Sequence, residues 1–129
     1  MSIVFTGLYV PSLNAHIAFN YIDKLPDHIK GQIMEQWKPL LKREYEIAVT
    51  GMGYYVKDGE ILNAVYTVDI PEELKPLFKG QIPHITLLCD KKSKPVNSNK
   101  MNKFSVWEKP TYYKAVANFF DKKGYVINE

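Results

Sequence analysis

The sequence predicts an α+β domain, and three observations carry that prediction. Several short runs alternate apolar and polar residues with period two, one stretch follows the helical period of 3.6, and Asp58-Gly59 falls between two alternating runs as a tight hairpin turn. A length of 129 residues fits one domain and suffices to bury a single core.

Along the chain, Ile3 to Val10 is a β-rich run closing on Pro11-Ser12, with Gly7 allowing a close backbone approach. His16 to Ile22 is the second strand. Leu25-Pro26-Asp27 then opens a helix, because Ile29, Ile33, Trp37, Leu40 and Leu41 recur at helical spacing with Met34 beside them. That stripe makes roughly four turns running to Leu41, with Pro39 terminating or kinking the end. Tyr45 to Thr50 alternates with period two and continues through Gly51 to Val56, where two glycines suggest a bulge. Ile61 to Asp69 returns from the hairpin. Pro71-Glu72-Glu73-Leu74 opens a short helix ending near Phe78-Lys79-Gly80, and Ile82 to Cys89 is a further strand. Lys91 to Lys103 reads as a polar surface loop and Phe104 to Trp107 as a strand. Tyr112 to Phe120 fits both periods, and we read it as a strand.

Composition bounds the function. The net charge of +3 favours an anionic ligand locally but is far from the basic footprint of a dedicated nucleic-acid binder. Cys89 is the sole cysteine, so no internal disulfide forms, which agrees with a reducing cytosol. One Cys and three scattered His make no zinc pattern. No apolar run approaches the ~20 residues of a membrane span, and no basic stretch precedes an apolar one at the start. The expectation is a cytoplasmic protein off the membrane; the oligomeric state is open.

The chemistry concentrates in Pro83-His84-Ile85-Thr86-Leu87-Leu88. On a strand His84 and Thr86 emerge on one face while Ile85 and Leu87 anchor the other. An imidazole and a hydroxyl so fixed can grip a small anionic group. Asn14-Ala15-His16-Ile17-Ala18-Phe19 repeats the arrangement, with His16 opposite Ile17 and Phe19. His28, in the first helical turn, reads as a surface or capping residue.

Two strands bearing His-x-small and His-x-Thr, separated by a helix and a long hairpin, resemble the two-histidine (2H) phosphoesterase superfamily. The look is nearest to the cyclic phosphodiesterase domain of fungal and plant tRNA ligases. Pro83-His84-Ile85-Thr86-Leu87 fits the second motif, and Lys94-Pro95-Val96-Asn97-Ser98-Asn99-Lys100-Met101 looks like the loop that follows it. His16-Ile17-Ala18-Phe19 fits the first motif in part, since Ala18 stands where Thr or Ser is usual. A lost charge-assisted hydrogen bond of ~1.5–3 kcal/mol slows a reaction about ten- to a hundredfold. The resemblance implies a bilobal fold, two small mainly antiparallel sheets around a central cleft with outer helices, over roughly residues 1–120.

It further implies metal-independent, cofactor-free hydrolysis of a cyclic phosphate, with His16 and His84 moving protons and Thr86 donating to the phosphate. Histidine suits both proton transfers because both of its forms are populated near neutral pH. The substrate is then a nucleotide or an RNA end: a 2′,3′-cyclic phosphate, ADP-ribose 1″,2″-cyclic phosphate or a cyclic oligonucleotide. Which histidine is the base stays open. Tyr54 and Tyr55 are candidates to stack on a base, Lys92 and Lys94 to hold a neighbouring phosphate, and Tyr9 to reach the cleft; core packing and solvated loop are the competing roles. Ser98 and Asn99 are candidates for ordering the loop. The alternative function is a catalytically impaired nucleotide- or RNA-binding module of the same fold, for which Ala18 speaks. A third reading is an interaction domain with incidental histidines.

Overall fold

A computed structural model describes residues 2–127. Six strands, β1 (Phe5–Val10), β2 (Ala15–Tyr21), β3 (Glu44–Lys57), β4 (Glu60–Asp69), β5 (His84–Cys89) and β6 (Lys103–Phe120), accompany one α-helix, α1 (Asp27–Trp37). They form one sheet in the order β2-β1-β6-β3-β4-β5, antiparallel at every junction. The edge strands β2 and β5 approach one another, so the sheet curls into a nearly closed barrel.

The α+β class and the antiparallel pairing stand, but the two separate sheets do not. β3 and β6 are 14 and 18 residues long and run through both halves, joining them. The junction is marked by a slip. Val49 faces Thr111 while Gly51 faces Val106, which leaves Trp107 to Pro110 without partners on β3. Pro110 has no N–H to give to a ladder, so the excess chain is accommodated there.

The buried face follows from the alternation. Leu8 and Val10, Ile17 and Phe19, Ile47 and Val49, Val68, Ile85, and Ala115, Ala117 and Phe119 share one core with Trp37 of α1. Phe19 meets Trp37 edge-on at 5.3 Å between ring centroids, which seats the helix on this face. The α-helix ends at Trp37 and not at Leu41. Residues Lys38–Leu40 tighten into a 3-10 turn, because Pro39 can neither donate nor clear the preceding carbonyl. The segment expected as a short helix is likewise 3-10, Glu72–Leu77, with Pro76 inside it.

The opposite face is closed at one end by the loop after β5, which contains a 3-10 turn, Pro95–Lys100. Asn63, fully buried on β4, holds that loop. Its Nδ2 donates to the carbonyl of Lys94 at 3.2 Å and to Ser98 Oγ at 3.3 Å, and its Oδ1 accepts from Ser93 Oγ at 2.5 Å. Ser98 is itself fully buried, so it orders the loop as expected, while Asn99 caps locally onto the Val96 carbonyl at 3.2 Å.

Candidate functional site

His16 is the second residue of β2, opposite Tyr9 of β1. Ile17 and Phe19 are buried in the core while His16 and Ala18 are half-buried on the other face, as period-two alternation requires. Two steps along β1 stands Gly7, paired with Ala18, so this part of the face carries almost no side-chain bulk. The backbone uses the room: a Cβ on Gly7 would collide with the Ile17 carbonyl. The imidazole of His16 packs on Phe5 and Phe120 with centroids 5.0 and 5.5 Å away.

From outside, Gly124 closes over the same ring. Its φ of +82° suits glycine, and a Cβ there would lie 2.8 Å from His16 Cε1. The segment carrying Gly124 is folded back by Asp121, whose Oδ1 accepts from the amides of Lys123 at 2.9 Å and Tyr125 at 3.0 Å. A Phe120–Val126 bridge and the bond from the Ile127 amide to the Phe119 carbonyl (2.9 Å) complete the return.

His84 begins β5, paired with Thr67, and Thr86 two residues on is paired with Val65. Ile85 between them is 1% exposed and does anchor the core. Leu87 does not: it is 44% exposed. The register runs from Val65–Thr86 directly to Ala64–Leu88, so Leu87 is the unpaired residue of a bulge and the alternation breaks there. His84 Nδ1 lies 2.8 Å from the Ile82 carbonyl. A carbonyl only accepts, so Nδ1 carries the hydrogen and Nε2 is left for chemistry. Thr67 beside it is 3.0 Å from Thr50 Oγ1 through its own hydroxyl.

A cavity of about 670 Å³ opens on this face, lined by Tyr9, Asn14 and His16 on one side, Thr86 on another, and Lys42, Asn118 and residues 123–126 on the rest. The volume suits a nucleotide-sized ligand. Tyr9 reaches it as expected, its hydroxyl donating to Asn14 Oδ1 at 2.8 Å. His84, Tyr54, Tyr55, Lys92 and Lys94 are not among its lining residues, although Ile85 and Thr86 next to His84 are. Tyr54 and Tyr55 lie in the far half of β3 opposite Ala64 and Asn63. Lys92 pairs with Glu60 at 3.2 Å, and Lys94 offers its carbonyl to Asn63. His28 is exposed on α1 and is not among the residues lining the cavity.

Both imidazoles are held below their ordinary value of 6.5. For His16 the larger cause is burial and the second is the positive charge of His84. For His84 burial lowers the value, and the bond to the Ile82 carbonyl partly restores it. The two rings therefore feel one another across the approach of β2 to β5. Among the described residues no three His, Cys, Asp or Glu side chains converge as metal ligands.

Lys42, Asn118, Lys123, Gly124 and Tyr125 belong to the cavity wall without having been singled out from the sequence. One signal was present: Asn118 interrupts the apolar run Val116 to Phe120, and an amide inside a buried strand demands partners. It takes them from Lys42 Nζ at 2.6 Å and the Val116 carbonyl at 3.1 Å. No protein-family model and no curated protein sequence matches this chain.

Proposed function

We propose that this cleft hydrolyses a phosphodiester, with a cyclic phosphate on a nucleotide or RNA end as substrate, in the manner of the two-histidine phosphoesterases the motifs resemble. One observation carries the reading. His16 and His84, 68 positions apart in sequence, are carried on the face opposite the buried Ile17 and Ile85 by β2 and β5, the two strands that approach one another.

The environments of the two rings support one assignment of the roles. His84 donates from Nδ1 to a carbonyl, a bond that favours its charged form. His16 sits against Phe5 and Phe120, and burial disfavours its charge. In the proposed reaction His84 therefore carries the proton and His16 is neutral. Neutral His16 takes a proton from water as its oxygen attacks phosphorus. The bond from phosphorus to the leaving oxygen breaks, and His84 gives that oxygen its Nε2 proton. The Thr86 hydroxyl donates to a non-bridging oxygen as charge develops there.

A second reading, a module that binds such a ligand without turning it over, is favoured by Ala18, which offers no hydroxyl on the face where Thr86 offers one. The test is incubation with nucleoside 2′,3′-cyclic phosphates, RNA ending in a 2′,3′-cyclic phosphate, ADP-ribose 1″,2″-cyclic phosphate and cyclic oligonucleotides, with and without chelator, with products identified by mass spectrometry. Hydrolysis that survives chelation and drops about 10²- to 10⁴-fold in each of His16→Ala and His84→Ala is expected. Binding without products points to the second reading. A rate near wild type in either variant overturns the proton-transfer roles.

A further inference from the structure

Tyr54 and Tyr55, the expected places for a base to stack, do not line the cavity, but another ring does. Of the exposed large apolar side chains among the described residues, Tyr125 alone lines it, and it is 67% exposed. Among those residues no other ring packs against it.

The turn it belongs to does not require that ring. Tyr125 serves the turn through its backbone: the amide donates to Asp121 Oδ1 at 3.0 Å, and the carbonyl accepts from the Asp121 amide at 2.9 Å. Any residue with an N–H could do both, and a small polar one is the common choice in a turn. What the two bonds give the ring is a fixed root. Gly124 on one side stands against the His16 imidazole, and Val126 on the other bridges to Phe120. Successive Cα atoms are about 3.8 Å apart, so the ring rises one residue away from the contact with His16. A flat apolar surface held at the mouth of a cavity suits a flat ligand.

Resting on the phosphodiesterase reading, we infer that Tyr125 is the stacking platform for the base carried by the same ribose as the reacting phosphate. The substrate narrows accordingly. Its base must be free to leave its own stack, so the phosphate belongs to a free nucleotide, a cyclic oligonucleotide or a single-stranded RNA end. Any of the bases serves, because each has a π-face. ADP-ribose 1″,2″-cyclic phosphate is disfavoured, since the ribose bearing its cyclic phosphate carries no base.

The test compares binding first, so that it does not depend on turnover. Adenosine 3′-monophosphate and a base-free counterpart, methyl β-D-ribofuranoside 3-phosphate, are titrated into the full chain by calorimetry. The base should tighten binding about five- to a hundredfold, the range for stacking on an aromatic side chain. In Tyr125→Ala that advantage should shrink towards one while the base-free ligand binds as before. Tyr125→Phe should keep it, because stacking needs the ring and not the hydroxyl. Both variants retain the backbone bonds to Asp121, so their melting temperatures should match the wild type. Equal affinity of the wild type for the two ligands overturns the platform. So does a Tyr125→Ala chain that keeps the advantage, or a Tyr125→Phe chain that loses it.

Rates then separate the platform from the hydrolysis. Tyr125→Ala should raise KM for adenosine 2′,3′-cyclic phosphate by the same factor and leave kcat unchanged, as for a contact made equally in the ground and transition states. Equal kcat/KM of the wild type for that substrate and its base-free counterpart keeps the phosphodiesterase reading and overturns the platform. If nothing turns over but the base advantage holds and is lost in Tyr125→Ala, the platform stands and the hydrolytic reading falls.

Discussion

Gly124→Ala offers a test of whether His16 acts through a position set by packing. Two costs are expected and they are separable. The first is conformational: at φ +82° an L-residue loses about 1–2 kcal/mol relative to glycine. For a chain of this size that lowers the melting temperature by about 3–10 °C. The second is steric. The new methyl carbon would lie 2.8 Å from His16 Cε1 and 3.1 Å from Nδ1, against about 3.5–4.0 Å for a relaxed carbon contact. The ring must retreat by about 1 Å, a displacement worth about a hundredfold in rate when it misplaces a reacting group. Phe5 and Phe120 stand against the same ring, so the retreat cannot be a simple slide.

Gly59→Ala is the control for the first cost alone. Its φ is +78°, and nothing lies within 4 Å of the added carbon. Both variants should lose similar stability. Only Gly124→Ala should lose turnover of the cyclic-phosphate substrate, measured well below either melting point, with a shifted His16 imidazole signal by NMR. If the two variants have the same kcat/KM, the contact with Gly124 does not position a reacting ring, and the place of His16 in the mechanism is refuted.

Three further outcomes follow from the site. Because His84 must be protonated and His16 neutral, and both are held below 6.5 chiefly by burial, kcat/KM should trace a bell whose two limbs lie below pH 6.5; a plateau extending to pH 8 contradicts the assignment. The same depression makes stability pH-dependent. As pH falls through 6.5 the unfolded chain takes up protons before the folded one, so stability is full above 6.5 and declines below it; a melting temperature that falls between pH 7.5 and pH 5 in the wild type, and falls less in His16→Ala or His84→Ala, is expected. Finally, Ala18→Thr should raise turnover by up to about ten- to a hundredfold if a hydroxyl there meets the phosphate; unchanged rate and unchanged binding would show that residue 18 does not line the site.

Legibility in the sequence tracked how local the cause was. His16 and His84 were placed on one face because alternation is a property of each strand alone, and Ile17, Phe19 and Ile85 confirm that alternation by burial. The hairpin at Asp58-Gly59 and the strand through Phe120 are local in the same sense. What was missed depends on partners distant in sequence. Leu87 turned outward through a register slip at Ala64 and Val65, and two sheets became one because β3 and β6 run on through both halves past the unpaired residues 107–110. Pairing decides such things, and pairing is invisible to periodicity. Lys42 illustrates the same point within the cavity. Its neighbours Leu41 and Arg43 announce nothing, and its role emerges only where the amide of Asn118 meets it.

The placement of β6 between β1 and β3 has a consequence for how the protein comes into being. Phe5 pairs with Phe120 and Tyr9 with Val116, so the first strand made is bonded to the last. During synthesis at about 5–20 residues per second, β1 and β2 wait several seconds as a bare hairpin, a structure only marginally stable by itself. The chain holding His16 and the chain holding His84 are joined through the sheet only once residues 103–120 have left the ribosome and threaded between β1 and β3. Assembly is therefore all or nothing and late, dominated by long loop closures, and nascent chains arrested before Phe120 should be protease-sensitive throughout.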